Sequence, residues 1–178
     1  MIELKIVEDT HPILHTEATE FDFDNPIHDP VELFEAMRDL MCQRRGLGLA
    51  APQCGISTRM FILGDFQNKE SVAAVFNPKI VDIIGEDTMY EEGCLSYPGM
   101  FIKIKRPSAI RVRYTNQHGT TDTIQFNGLT ARVFLHELDH LNGITFLDKA
   151  NKFHIEKAKR KFKIMQRAAK RGELPTIS

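Results

Sequence analysis

At 178 residues, 42% hydrophobic and 26% charged with a formal net charge of −1, the chain has the composition of a soluble globular protein and the length to bury one core, so a single domain over residues 1–178 is expected. No apolar run approaches the ~20 residues of a membrane span, and the opening MIELKIVEDTHP is acidic where a signal peptide is basic and then apolar, so neither is expected. Three cysteines (Cys42, Cys54, Cys94), odd in number and without a CxxC pair, point to free thiols in a reducing, cytoplasmic setting.

In chain order, ELKIVE alternates apolar and polar residues, and residues 9–28, rich in Pro, Asp, His and Thr, read as a long irregular arm. Asp29-Pro30-Val31-Glu32 is a helix start, with Asp at the N-cap, Pro first and Glu third. Leu33, Phe34, Met37, Leu40 and Met41 mark its apolar face, and Arg44-Arg45-Gly46 stops it. The runs 59–65, 72–84, 101–114 and 121–127 are β-rich, and TNQHGTT between the last two reads as a hairpin turn. A second helix is expected from about Thr130 to Gly143, and a third from about Asn151 to Arg171. Strands followed by helices predict an α+β fold. Mainly antiparallel strands should pack around the second helix, with one helix N-terminal and one C-terminal to them.

The second helix carries His136-Glu137-Leu138-Asp139-His140. Histidines four apart share one helix face and can bind one metal, while Glu137, about 100° round the helix, borders the same cleft. Such a catalytic site needs a third protein ligand. A histidine six residues on is missing, because position 146 is Phe146, and the downstream glutamates are Glu156, in a lysine-rich helix, and Glu173. The upstream candidate is Cys94 in YEEGCLSYPG (90–99), whose turn-rich, acidic surroundings are not those of a core strand. Cys42 and Cys54 read instead as small buried hydrophobes. His11 and His15 are also four apart, but Pro12 disfavours a helix there and no glutamate follows.

A third stretch, GLGLAAPQ (46–53), satisfies the dinucleotide fingerprint by letter. It follows a helix and precedes β-rich sequence, the reverse of what that fingerprint requires, so nucleotide binding is rejected. Its glycines permit close approach of another backbone, such as an extended peptide. Gln53 ends it with a neutral amide able to donate to an oxyanion.

Taken together, GLGLAAPQ (46–53), EGCLS (92–96) and HELDH (136–140), in this order, resemble the three motifs of the peptide deformylases. The resemblance implies removal of the N-formyl group from N-formylmethionyl nascent peptides, with release of formate. It implies that Cys94, His136 and His140 hold one divalent metal with water in the fourth position. By the same match Glu137 is the acid/base, Gln53 and the Leu95 amide hold the oxyanion, and Leu47, Gly48 and Gly93 pair with the substrate backbone. By ligand type the set suits Zn(II). The resemblance implies Fe(II) as the native ion, with Zn(II), Ni(II) or Co(II) able to replace it. Phe101 stands where many members carry a polar side chain and Leu135 where many carry Gln, which bears on side-chain preference. The rival enzyme class is an HExxH endopeptidase. A nucleic-acid-binding module with a structural metal would need a fourth protein ligand beside these three.

Charge is unevenly spread. Residues 1–147 sum to a formal −8 and residues 148–178 to +7. Ile155, Ala158, Phe162, Met165 and Ala169 form an apolar stripe, with Lys152, Lys159, Lys163 and Lys170 opposite. Such a helix docks by its stripe and leaves a solvated basic face. The same face also suits nucleic acid, which for a deformylase means the ribosome. The partners expected are therefore a formylated peptide and the ribosome, with no membrane, and the chain is expected to act as a monomer.

Overall fold

The computed structural model describes residues 2–171, with backbone alone for residues 169 and 170. Helix α1 (Pro30–Gln43) starts as its sequence dictates: Asp29 Oδ1 accepts from the backbone N–H groups of Val31 (3.0 Å) and Glu32 (2.9 Å). Its five expected apolar residues are all buried. At its end Arg45, not Gly46, turns left-handed (φ 55°). A Cβ at Gly46 would lie 2.7 Å from Leu95 Cδ1, so that side chain would have to shift to admit one.

The strands follow: β1 (Gly48–Ala50), β2 (Met60–Leu63), β3 (Ala73–Ile83), β4 (Asp87–Cys94), β5 (Tyr97–Pro107), β6 (Ala109–Thr115) and β7 (Thr121–Asn127). Five of them form an antiparallel sheet in the order β1-β2-β3-β6-β7, and β4 and β5 form a separate antiparallel pair. The TNQHGTT turn closes β6 onto β7 through Asn116 and Thr120 (N···O 2.8 Å). The apolar residues of the opening stretch, Ile2, Leu4 and Ile6, lie partly buried against the α1 core. Two expectations shift. The run 101–114 breaks at Ser108, between β5 and β6. Residues 90–94, read as turn-like, are the end of β4, although most of that strand is exposed and it is no core strand.

Helix α2 (Gly128–Leu141) starts two residues before the expected Thr130, and Ala131, Arg132 and every residue from Phe134 to Leu141 are buried. It packs against β1, β2, β5, β6 and β7, with Phe134 edge-on to Phe61 (5.0 Å between centroids). Gly143 ends it left-handed (φ 68°), with the backbone of His15 and Thr16 2.9 Å from where a Cβ would be. The irregular arm thus straps the helix end, and Ala18 N–H donates to Leu141 O (2.8 Å). A short turn, α3 (Phe146–Lys149), leads to α4 (Lys152–Lys170), which lies on β5. Along α4, Ala158 is buried and Ile155, Phe162 and Met165 are half-buried, while Lys152, Lys159 and Lys163 are exposed. The side chains of Ala169 and Lys170 fall outside the described residues.

Candidate active site

Helix periodicity places His136 and His140 on one face of α2, and the end of β4 brings Cys94 to them. The three ligating atoms lie within 4.8 Å of one another, with Cys94 Sγ 3.2 Å from His140 Nε2. Among the described residues this is the one such cluster of three metal-ligating side chains. Glu156 is exposed on α4 beside Lys159, Arg160 and Lys163, outside the cluster, so the endopeptidase-type ligand set is not assembled. His11 and His15 are exposed, and His11 Nδ1 accepts from Ile13 N–H at the start of a short 3-10 turn.

The second ring nitrogens decide whether the trio suits a metal. His136 Nδ1 lies 3.0 Å from Glu92 Oε2, which holds the ring and leaves Nε2 for a cation, the arrangement that orients metal-bound histidines. Burial pushes the His140 pKa well down, and the charges of His136 and Arg106 push it further, so that ring is a neutral donor. Burial would also lower His136, but hydrogen bonds to Cys94 and Glu92 hold a proton there up to about 10. A divalent ion competes for that place, as is usual where metal binding displaces protons. One sulfur and two imidazoles suit Zn(II) by donor type.

Behind the trio lies a network absent from the motif reading. Glu92 is only 4% exposed in its side chain, and each of its oxygens takes two donors. Oε1 accepts from Arg106 Nε and Arg132 Nη1 (both 2.7 Å), and Oε2 from Arg106 Nη2 and His136 Nδ1 (both 3.0 Å). Arg106 Nη1 also donates to Asp139 Oδ2 (2.7 Å), which ties β5 to α2. Burial alone would raise the Glu92 pKa, but hydrogen bonds from His136 and Arg106 outweigh it and bring it down to about 2. Glu92 and Asp139 stand inside the motifs themselves. Their signal was that a carboxylate beside a buried ligand needs a buried cation, and Arg106 and Arg132 are those cations.

Glu137 is buried, its Oε2 has no hydrogen-bond partner among the described residues, and burial raises its pKa to about 7. It lies against Gly48, where a Cβ would come within 2.8 Å of its Cγ and Cδ. That glycine therefore makes room for a side chain rather than only for a backbone. Gln53, 1% exposed, is held by Ala50 N–H donating to its Oε1 (2.9 Å), which points its amide at Cys94 Sγ (3.4 Å) and Ser96 Oγ (3.1 Å). The neighbouring Cys54 is packed with the α1 core, and burial, aided by Glu137, pushes its thiol up to about 12. A cleft of about 880 Å³ opens onto Cys94, His136 and Glu137 between Leu47-Gly48 and Gly93. Phe101 forms part of its wall, lying across Gly93 with ring carbon Cε1 2.8 Å from where a Cβ would be. Phe162 and Gln166 of α4 line it too, a contact that the helix stripe did not reveal.

A buried carboxylate with a pKa near neutrality, beside a sulfur and two imidazoles at the base of a deep cleft, is the equipment of a hydrolase. The profile of the polypeptide deformylases matches residues 3–156. The peptide deformylase of Thermotoga maritima is 45% identical over 115 residues, covering 65% of this chain and 68% of that one. The Natranaerobius thermophilus enzyme of the same name is 39% identical over 147 residues, 82% and 91% of the two chains. Among solved structures, the Legionella pneumophila peptide deformylase aligns with a TM-score of 0.83 at 30% identity, over 96% of this chain and 99% of that one. The Thermotoga maritima structure aligns at 0.78 and 37%, over 85% and 99%. The chain belongs to the polypeptide deformylase family. No helix among the described residues is long and apolar enough to cross a membrane.

Proposed function

We propose that the chain hydrolyses the formyl amide of N-formylmethionyl peptides, releasing formate and a free N-terminus, with a divalent metal held by Cys94, His136 and His140. The observation that carries this reading is the convergence of the three donor atoms within 4.8 Å, with buried Glu137, whose Oε2 has no hydrogen-bond partner among the described residues, next to His136 in the chain. Family membership supplies the reaction class. Fe(II) is the native ion in this reading, and Zn(II), Ni(II) or Co(II) are substitutes. When bound, such an ion acts as a Lewis acid and brings the pKa of water toward ~7.

The residues divide the remaining work. Glu137, with a pKa of about 7, takes a proton from water and returns it to the departing amine, since near neutrality it exchanges protons in both directions. Charge that grows on the formyl oxygen meets the Gln53 amide and the Leu95 N–H. One such donor is typically worth about 2.7–4 kcal/mol. Gln53 remains a donor throughout because Ala50 fixes its oxygen. Among the described residues β1 is the last strand of its sheet and β4 pairs with β5 alone, which leaves the backbones of Leu47, Gly48 and Gly93 to take the peptide as an added strand. Through its exposed lysines, α4 meets the anionic surface of the ribosome.

The deciding experiment is formate release from formyl-Met-Ala-Ser by anaerobic, Fe(II)-loaded protein. Release that is abolished in Cys94→Ala supports the reading. A loaded protein that leaves the formyl peptide intact overturns it.

A further inference from the structure

Arg132 lies one turn before His136 on the same face of α2 and takes no part in the chemistry above. Its side chain is only 7% exposed. From the helix it reaches three places on the β4–β5 pair. Nη1 donates to Glu92 Oε1 (2.7 Å) and Ile104 O (3.0 Å), and Nη2 donates to Thr88 O (2.8 Å) and Thr88 Oγ1 (3.1 Å). Its guanidinium also sits over the Tyr90 ring, 5.3 Å from the centroid. A planar fork with fixed donors suits several acceptors at set angles, which a flexible ammonium does not.

The three candidate ligands are divided between two elements, Cys94 on β4 and the histidines on α2. Their separation depends on whatever crosses between strand and helix. Arg106 belongs to β5 and grips Glu92 within its own sheet, reaching α2 only at Asp139. Arg132 crosses the other way, from helix to sheet, and supplies the second donor to Glu92 Oε1. With that donor in place, the carboxylate presents Oε2 to His136 Nδ1.

We propose that Arg132 is a positioning residue of the metal centre: it holds the cysteine strand in register with the histidine helix and, through Glu92, orients the His136 ring. The inference rests on the reading of Cys94, His136 and His140 as ligands.

The test compares wild type, Arg132→Met, Arg132→Lys and a control, Arg59→Gln. Arg59 ties the C-terminal end of α2 through Leu141 O (3.3 Å) and Asn142 Oδ1 (3.0 Å), bonding neither Glu92 nor a ligand side chain among the described residues. Metal-free proteins are titrated with Zn(II) against a chromophoric chelator, and the visible spectrum of each Co(II) form is recorded. Arg132→Met should weaken Zn(II) binding about 10–100-fold and shift the Co(II) bands. Arg132→Lys should recover only part of this, because one ammonium cannot span three sites. Arg59→Gln should keep wild-type affinity and spectrum even if it melts earlier. Wild-type affinity and bands in Arg132→Met, full recovery by lysine, or an equal loss in the Arg59 control would each overturn the inference. Should Arg132→Met not fold, Arg132→Lys decides alone: reduced affinity with shifted bands supports the strut, and wild-type values refute it. A wild type that takes up no Zn(II) overturns the ligand assignment and this inference with it. Normal wild-type uptake with unaltered variants overturns this inference only.

Discussion

Glu137 lies against the bare Cα of Gly48 with one oxygen unpartnered, and both facts bear on its proposed role. Glu137→Gln removes the proton carrier but no ligand. Metal content should stay at the wild-type level while kcat falls by about 10²–10⁴. Metal lost in step with activity would make the residue structural. Because burial raises this carboxyl from 4.5 to about 7, its base form thins out below neutrality, and kcat should decline as pH drops through that value. Gly48→Ala forces a methyl into the Glu137 side chain. A displacement of the acid/base on the scale of an ångström costs about 10²-fold, so kcat should fall that far while circular dichroism stays native. An alanine variant with wild-type kcat would show that the contact is slack.

Between elements, the ion network joining β4 and β5 to α2 governs stability as well as geometry. Glu92 neutralises two buried arginines, so Glu92→Gln leaves uncompensated charge inside and should cost about 3–5 kcal/mol, read by denaturant titration of metal-free protein. Its pH signature has a definite sign. The folded pKa of about 2 lies below the ordinary 4.5, so this contribution is present above 4.5 and lost as pH falls toward 2. Glu137 acts oppositely: its folded pKa near 7 favours the folded state on protonation between 7 and 4.5. His140, whose folded pKa burial depresses, opposes Glu137 over this window and loses stability as pH falls below 6.5, so the mark of Glu92 is the further loss below about 4.5, the lower limb that Glu92→Gln should lack. A lower limb that survives the substitution would assign acid unfolding to other carboxylates.

For the molecule as a whole, the open question is what α4 does. Lys152, Lys159 and Lys163 point to solvent and Ala158 to the body, but Phe162 is half-buried and lines the cleft instead of being sealed in a core. Phe162→Ala should therefore cost less than the ~3–5 kcal/mol of a fully buried ring and should raise KM for formyl peptides. Replacing Lys152, Lys159 and Lys163 with Gln should leave turnover of a short formyl peptide unchanged. It should also weaken ribosome binding, which in the wild type fades with salt. Wild-type binding that ignores salt would return α4 to a docking helix with a solvated face.

Local features were written in the sequence because they depend on neighbours along the chain. The Asp29 cap, the buried face of α1, the β6–β7 turn and the shared face of His136 and His140 are fixed within a few residues by spacing and turn chemistry. The order of the three motifs likewise named the family before any fold was known. What crosses between elements was not legible. ELKIVE alternates apolar and polar residues yet joins no strand, its Val7 N–H bonding Gln53 O (2.9 Å) instead, and YEEGC reads as a turn yet pairs with β5. Glu92, Arg106 and Arg132 look like surface charges until the fold takes them out of water, where each must find its counter-charge. Only tertiary packing decides that, because the cost of burying a charge and the partner that offsets it exist only once strand and helix have met.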